Sequence, residues 1–162
     1  MAVRRILQLG DSLLREISRP VASPAEAQPV LADLRDTLHQ FQRQHGFGRG
    51  ISAVQIGVPL RVIYIEIAGA SYELVNPVWE YLSDEKFQLW DDCFSFPDLL
   101  VRLERSVAVR LRYDDGHLEA EGAFAELLQH EMDHLDGILA IDRALDRDSW
   151  CVRSEYLARQ MQ

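Results

Sequence analysis

The chain has 162 residues, the length of one ordinary domain, so we expect a single domain over residues 1–162 whose core needs no disulfides. Apolar residues make up 48% of the chain and charged residues 27%, a balance that excludes a disordered or fibrous protein. The 17 Lys and Arg residues against 26 Asp and Glu residues leave a net charge of −9, which argues against binding to nucleic acid or to anionic lipid.

The cysteine content and the hydropathy pattern indicate a reducing, aqueous compartment. Cys93 and Cys151 are too few for a disulfide framework, and the N-terminal stretch carries charges where a signal peptide has its apolar core. The longest apolar run begins at Arg61, is interrupted by Glu66 and is too short to cross a bilayer. We therefore expect a cytoplasmic protein that is not embedded in a membrane.

The first predicted element is an amphipathic helix that opens near Pro24 and Pro29. Its apolar residues recur at intervals of four and three, the period of a helix with one buried face. These residues are Val30, Leu34, Leu38 and Phe41. Gly46, Gly48 and Gly50 end this helix and form a loop that can approach a ligand or another backbone closely.

Three β-rich runs follow, and they begin at Arg61, Tyr72 and Val107. The last run alternates apolar and polar residues, which predicts a half-buried strand. A turn sequence at Asp114 then predicts a hairpin with His117 near its tip.

A second amphipathic helix is predicted from Ala123, and Gly137 terminates it. The tail from Asp148, which includes Trp150 and Val152, predicts a final helix that packs on the rest of the protein. Because strands come first and a core helix comes late, we expect an α+β fold. Mainly antiparallel sheets would surround a central helix, with an amphipathic helix near the N-terminus and a helix at the C-terminus.

The residues from His130 to His134 read HEMDH and lie inside the second predicted helix. Side chains four residues apart project from one helix face, so both imidazoles can meet one metal ion, with Glu131 next to them. The alternative is a solvated helix face that carries two histidines by chance. We favour metal binding because apolar residues already supply the opposite face of the helix.

Two histidines leave a catalytic metal site one protein ligand short, since open sites usually hold three. Cys93, in a predicted loop between strand-like segments, is one candidate, and Cys151 beside Trp150 is better explained as a small buried hydrophobe. In zincin proteases the third ligand follows the motif. The acidic residues available there are Asp136, Asp142, Asp146, Asp148 and Glu155.

Three separated strings resemble the motifs of the peptide deformylase family, in the same order and at similar spacing. Residues 48–55 read GRGISAVQ where the family has GxGxAAxQ, with Ser52 in place of the first alanine. Residues 91–95 read DDCFS where the family has EGCLS, and residues 129–137 match QHExDHxxG unchanged. The N-terminal segment LQLGDSLLREISRPV and the VNP at Val75 extend the likeness, so the chain resembles a peptide deformylase from end to end.

The resemblance implies a catalytic centre built on one divalent ion. The ion would be Fe²⁺ in the cell, with Zn²⁺ or Ni²⁺ as alternatives, and its ligands would be Cys93, His130 and His134. A water would take the fourth place, and Glu131 would act as the general base. The Gln55 side-chain amide and the Phe94 backbone N–H would stabilise the oxygen that gains charge during the reaction.

The implied function is removal of the N-formyl group from the N-terminal methionine of nascent proteins. The substrate pocket would be lined by Gly48, Gly50, Glu126 and Leu127. The resemblance implies a monomer that binds formyl-methionyl peptides or nascent chains and associates transiently with the ribosome, without binding nucleic acid or membranes itself. Two alternatives stay open: an amidase for a different N-acyl substrate, and a noncatalytic family member that binds peptides.

The chain departs from the family pattern just before the metal cysteine. Asp91 and Asp92 replace Glu and Gly, and a negative charge here would disfavour the thiolate unless an arginine pairs with it. Arg102 and Arg105 are the candidate partners. We expect Asp91 to substitute for the family's Glu and Asp92 to face solvent.

A second departure concerns the expected pocket for the methionine side chain. Glu126 lies one turn before His130, on the same helix face, and either reaches water or points inward. If it points inward, an apolar pocket would be compromised, since a buried unpaired carboxylate is costly. Phe94 and Phe96 are also bulky enough to narrow the pocket.

Overall fold

The computed structural model describes residues 2–162, which form three α-helices, three short 3₁₀ helices and nine β-strands. The α-helices are α1 (Pro24–His45), α2 (Gly122–Leu135) and α3 (Arg153–Gln160). The 3₁₀ helices are Ser12–Arg15, Ala53–Ile56 and Ala140–Arg143. The strands are β1 (Gly50–Ser52), β2 (Val62–Ile67), β3 (Ala70–Val75), β4 (Val78–Leu82), β5 (Lys86–Cys93), β6 (Phe96–Ser106), β7 (Ala108–Tyr113), β8 (Gly116–Glu121) and β9 (Trp150–Val152).

The strands form three antiparallel three-stranded sheets, ordered β1-β2-β3, β4-β7-β8 and β5-β6-β9. Helix α2 contacts strands from all three sheets, and most of its residues are buried. A helix that is buried nearly all round is a central element rather than a surface one. The predicted α+β fold, with antiparallel sheets around a central helix, is confirmed.

Helix α1 buries the apolar stripe that the sequence predicts. Leu34, Leu38 and Phe41 pack in one cluster with apolar residues of β1 and β2. The helix ends at Gly46, whose φ of +75° places it in the left-handed region that glycine adopts at low cost. Strand β1 begins only four residues later and contacts α2, so the glycine loop places β1 next to this helix.

The predicted hairpin after residue 107 is confirmed as β7 and β8. Val109 and Leu111 are buried while Arg110 and Arg112 are exposed, as expected for a strand with one face in the core. His117 pairs with Arg112 one position from the turn, where it was expected.

Two expectations about local structure were wrong. The tail does not start as a helix, because residues 150–152 pair with residues 99–101 of β6 as strand β9, and α3 begins only at Arg153. Cys151 is therefore a buried strand residue and not part of the last helix. Cys93 ends β5 instead of lying in a loop, and the pairing of Cys93 with Phe96 closes a tight β5–β6 hairpin.

Among residues 2–162, no helix is both long enough and apolar enough to cross a bilayer.

Candidate metal centre and substrate pocket

Cys93, His130 and His134 come together at the centre of the protein. The Cys93 Sγ lies 3.3 Å from His134 Nε2, which lies 3.2 Å from His130 Nε2. All three side chains are buried, and their ligand atoms lie within 4.8 Å of one another. Atoms that share one tetrahedral ion are about 3.3–3.8 Å apart at ordinary bond lengths. One thiolate and two imidazoles in this arrangement therefore fit a single divalent transition-metal ion.

Asp91 occupies the outer side of His130. Its Oδ2 lies 2.8 Å from His130 Nδ1 and 3.5 Å from Arg105 Nη2, and all three side chains are buried. Burial would raise the pKa of Asp91, but His130 and Arg105 hold that pKa below its ordinary value. The expected arginine partner is Arg105, since Arg102 pairs with Asp146 instead.

The contact with Asp91 also orients the His130 ring. With Nδ1 bound to a carboxylate, Nε2 is the nitrogen left to face Cys93 and His134. Burial alone would lower the pKa of His130, but the negative charges of Asp91 and Cys93 raise it well above its usual value. Burial, together with the adjacent His130, lowers the pKa of His134.

Glu131 is buried next to the two histidines and is held by Ser52. The Ser52 hydroxyl donates to Glu131 Oε2 at 2.6 Å, an interaction that the sequence analysis did not foresee. Burial raises the pKa of Glu131, and His130 and Ser52 only partly oppose this. A Cβ at Gly50 would lie 3.1 Å from Glu131 Oε1, so the glycine leaves the space that this carboxylate fills.

Gln55 lies in the 3₁₀ helix that follows β1 and presents its amide to Cys93. Its Oε1 accepts the Ser52 backbone N–H at 3.0 Å, so one end of the side chain is fixed. Its Nε2 lies 3.5 Å from Cys93 Sγ and donates to Ser95 Oγ at 3.2 Å. The amide donor therefore points at the same small region as the three potential metal ligands.

A cavity of about 330 Å³ opens beside these groups. The residues proposed from the sequence that line it are Gly48, Gly50, Gln55, Cys93, Phe94, Glu126, Leu127, His130 and Glu131. His134 is fully buried and is not among the residues that line the cavity. The cavity is also lined by Arg49 and Arg153, two cations that the sequence analysis did not assign.

Phe94 and Phe96 differ in their relation to the cavity. The Phe94 ring lines it and stacks on Phe41 with the ring centres 3.7 Å apart. A Cβ at Gly48, where φ is +131°, would come within 2.6 Å of this ring, so glycine is required here. Phe96 packs in the core with Leu103 and does not line the cavity. The expectation that Phe96 would narrow the pocket was therefore wrong.

Asp92 and Glu126, two acidic residues at which the chain departs from the family pattern, both line the cavity. Asp92 was expected to face solvent, and its side chain is 32% exposed, but it also lines the cavity and forms an ion pair with Arg153. Glu126 points inward, is only 4% exposed, and accepts from Arg49 Nη2 at 2.5 Å. Burial raises the pKa of Glu126 despite the opposing effect of Arg49.

The zincin alternative finds no support in the geometry. Within the described part of the chain, the group of three potential ligands at the histidines is completed by Cys93. Three of the acidic residues after the motif are engaged elsewhere, since Asp136, Asp142 and Asp146 pair with arginines.

Comparisons with known proteins point to one family. Residues 3–150 match the Polypeptide deformylase family. The peptide deformylase of Bartonella tribocorum is 37% identical over 155 residues, covering 88% of this chain and 84% of that protein. Peptide deformylase 2 of Clostridium perfringens is 35% identical over 151 residues, covering 89% and 94% of the two chains.

Solved structures give the same answer for the fold. The crystal structure of peptide deformylase from Thermotoga maritima superposes with a TM-score of 0.82 at 28% identity, covering 90% of this chain and all of that one. The enzyme from Legionella pneumophila superposes with a TM-score of 0.81 at 31% identity, covering 98% and 92% of the two chains. This chain therefore belongs to the polypeptide deformylase family of metal-dependent hydrolases, which remove N-formyl groups from nascent peptides.

Proposed function

We propose that this protein is a peptide deformylase whose single catalytic domain spans residues 1–162 and whose metal ligands are Cys93, His130 and His134. The observation that carries the proposal is the convergence of one thiol and two imidazoles next to the buried Glu131. The substrate would be the formyl group on the N-terminal methionine of a nascent chain.

A divalent ion held by these ligands would supply Lewis acidity, which lowers the pKa of water and polarises the substrate carbonyl. Glu131 takes the proton from the attacking water and returns it to the leaving amine nitrogen. Burial raises the pKa of this carboxylate, which favours its taking up a proton. Ser52 holds the carboxylate in position through its hydroxyl.

Gln55 stabilises the oxygen of the formyl group as it gains negative charge. Its amide is fixed before substrate arrives, because Oε1 already accepts the Ser52 N–H. A preorganised donor of this kind is worth about 10²–10³ in rate. We assign the Phe94 backbone N–H to the same oxygen.

The function is tested by measuring formate release from formyl-Met-Ala-Ser with metal-loaded protein. We expect Glu131→Gln to keep its metal but to lose activity by about 10²–10⁴, because the proton acceptor is gone. Cys93→Ala should lose the metal, whereas Cys151→Ala, which replaces the other buried cysteine, should keep both metal and activity. Normal turnover by Glu131→Gln would refute the assignment, and metal retention by Cys93→Ala would favour a ligand from after His134.

A panel of formyl, acetyl and free peptides separates the deformylase from the two other hypotheses. Formate release specific to formyl peptides supports the proposal. Preferential release of acetate indicates an amidase with a different N-acyl substrate, and binding without turnover indicates a noncatalytic protein.

We further propose Fe²⁺ as the metal in the cell, with Zn²⁺ or Ni²⁺ able to replace it, since a mixed thiolate and imidazole site suits all three. Metal analysis of protein purified without oxygen tests this.

The net charge of −9 supports action without nucleic acid binding. Action in the cytoplasm, the monomeric state and transient association with the ribosome remain predictions.

A further inference from the structure

An ion pair forms part of the lining of the substrate pocket. Arg49 Nη2 donates to Glu126 Oε1 at 2.5 Å, and Arg49 Nη1 lies 3.4 Å from the Ala123 carbonyl. The second oxygen of the carboxylate, Oε2, is buried and finds no hydrogen-bond partner among residues 2–162. A buried acceptor without a donor is costly, so this oxygen marks a place where a donor is needed.

The pair lines the same cavity as the residues proposed to bind the formyl group. Glu126 precedes His130 by one helical turn, about 6 Å along the axis of α2. Both residues line the same cavity, together with Leu127 and Gln55. If the formyl group lies at Gln55 and His130, the adjacent side chain extends along α2 towards Glu126 and Arg49.

The chemistry of the pair distinguishes between side chains of methionine's length. A methionine thioether donates no hydrogen bond, so it leaves Glu126 Oε2 unsatisfied. A glutamine amide can donate to Oε2 and can accept from the Arg49 guanidinium at the same time. A lysine or glutamate would add net charge to a pair that is already neutral, which is unfavourable in a buried site.

We propose that Arg49 and Glu126 are specificity-determining residues, and that this pocket favours formyl peptides whose first side chain is an uncharged amide. This inference rests on the proposed deformylase function. Methionine remains a substrate because Leu127 and Phe47 supply apolar surface, but the ion pair reduces the preference for it.

The test compares kcat/KM for formyl-Gln-Ala-Ser and formyl-Met-Ala-Ser. We expect Arg49→Ile combined with Glu126→Ile to lower the glutamine-to-methionine ratio at least about tenfold, because two hydrogen bonds to the amide are lost. Both residues are replaced together, since removing Arg49 alone would leave the buried Glu126 charge unpaired. Arg19→Ile with Glu26→Ile removes an exposed ion pair outside the pocket and should leave the ratio unchanged.

A binding measurement keeps the inference separate from catalysis. Calorimetry with the Glu131→Gln protein, with and without the two isoleucine substitutions, should show the same fall in the affinity ratio of the two formyl peptides. If neither peptide releases formate, the proposed function is wrong, and the affinity ratio still decides the role of the pair. An unchanged ratio in both measurements, or a preference for formyl-Lys or formyl-Glu peptides, would overturn the inference.

Discussion

Asp91 is a buried carboxylate held between an imidazole and a guanidinium. From the sequence, Arg102 and Arg105 were both candidates to neutralise it, and the β5–β6 pairing shows why Arg105 does so. Residues directly opposite in an antiparallel pair share a face, and faces alternate along each strand. Arg105 pairs with Phe87, four positions before Asp91, so it shares the face of Asp91, while Arg102 lies on the other face.

Loss of this carboxylate should weaken the metal site. We expect Asp91→Asn to lower metal affinity about 10–100-fold, because His130 loses the negatively charged partner that orients its ring. Competition with a chelator measures the change. Asp146→Asn is the matched control, because it removes an exposed carboxylate that also pairs with an arginine. Equal losses in the two variants would show that Asp91 acts only through general charge.

The proposed metal ligands could be predicted from sequence better than the residues that hold the neighbouring carboxylates in place. The HEMDH spacing placed His130 and His134 on one helix face, and the motif resemblance added Cys93. The resemblance could not assign Ser52 or Arg49, because they occupy positions where this chain differs from the pattern or where the pattern leaves the residue free. Their contacts with Glu131 and Glu126 arise from the approach of β1 to α2, which no local pattern encodes.

At the scale of elements, Gly137 does more than end α2. The sequence predicted a glycine stop here, and φ is +72°. The structure adds a close approach, since a Cβ at this position would lie 2.3 Å from the Arg15 carbonyl oxygen. Arg15 is distant in sequence, so periodicity and turn chemistry carried no information about this contact.

The substitution Gly137→Ala should therefore destabilise the protein more than replacing the glycine at the end of a helix usually does. We expect the free energy of unfolding to fall by about 2–4 kcal/mol, the sum of left-handed strain and a backbone clash. Gly46→Ala is the control, because φ is similar at +75° but an added Cβ would have no heavy atom of residues 2–162 within 4 Å apart from those of its chain neighbours and its own helix backbone. It should cost about 1 kcal/mol. Urea denaturation measures both, and equal losses would exclude the clash as a cause.

The β5–β6 hairpin and β9 show why some elements could not be predicted. Residues 86–93 contain three charged residues in eight and lack the clean alternation of β7, so the sequence did not predict this strand or its bounds. The segment 150–152 is too short for periodicity to distinguish a strand from the start of a helix. Its conformation is set by pairing with β6, which is a tertiary interaction.

Over the whole molecule, the N-terminal segment links the three motifs. Leu7 N–H donates to the Gln55 carbonyl, Leu9 N–H to the Ser95 carbonyl and Ser18 N–H to the Leu135 carbonyl, each at 2.8 Å. Further along, Arg15 forms an ion pair with Asp142 in the 3₁₀ helix beyond α2. Residues 7–18 therefore donate a backbone hydrogen bond to each of the three motifs.

The ion pair at Asp142 makes part of this linkage depend on pH. Burial would raise the pKa of Asp142, but Arg15 and the Leu139 N–H hold it below its ordinary value. A lowered pKa means that the folded state favours the charged form. The stabilisation is therefore complete above the unfolded pKa of about 4 and fades as the pH falls towards the folded value.

Asp142→Asn tests this directly. At pH 7 we expect the variant to be less stable by about 0.5–1 kcal/mol, the range for a partly exposed pair. The difference from the wild type should shrink as the pH is lowered below about 4, which denaturation at several pH values measures. Asp98→Asn, on an exposed position of β6, is the control and should leave the stability unchanged. A difference that grows in acid would contradict the sign of the effect.

The contact between Arg153 and Asp92 has a practical consequence for protein engineering. Arg153 is the first residue of α3, and its guanidinium also lies 4.3 Å from the centre of the Phe47 ring at the cavity. Helix α3 has eight residues and is about 12 Å long, so its far end lies within about 12 Å of the Arg153 backbone. A fluorescent reporter or affinity tag fused behind α3 would lie close to the cavity that Arg153 lines, and labels for kinetic work are better joined to the exposed β7–β8 turn.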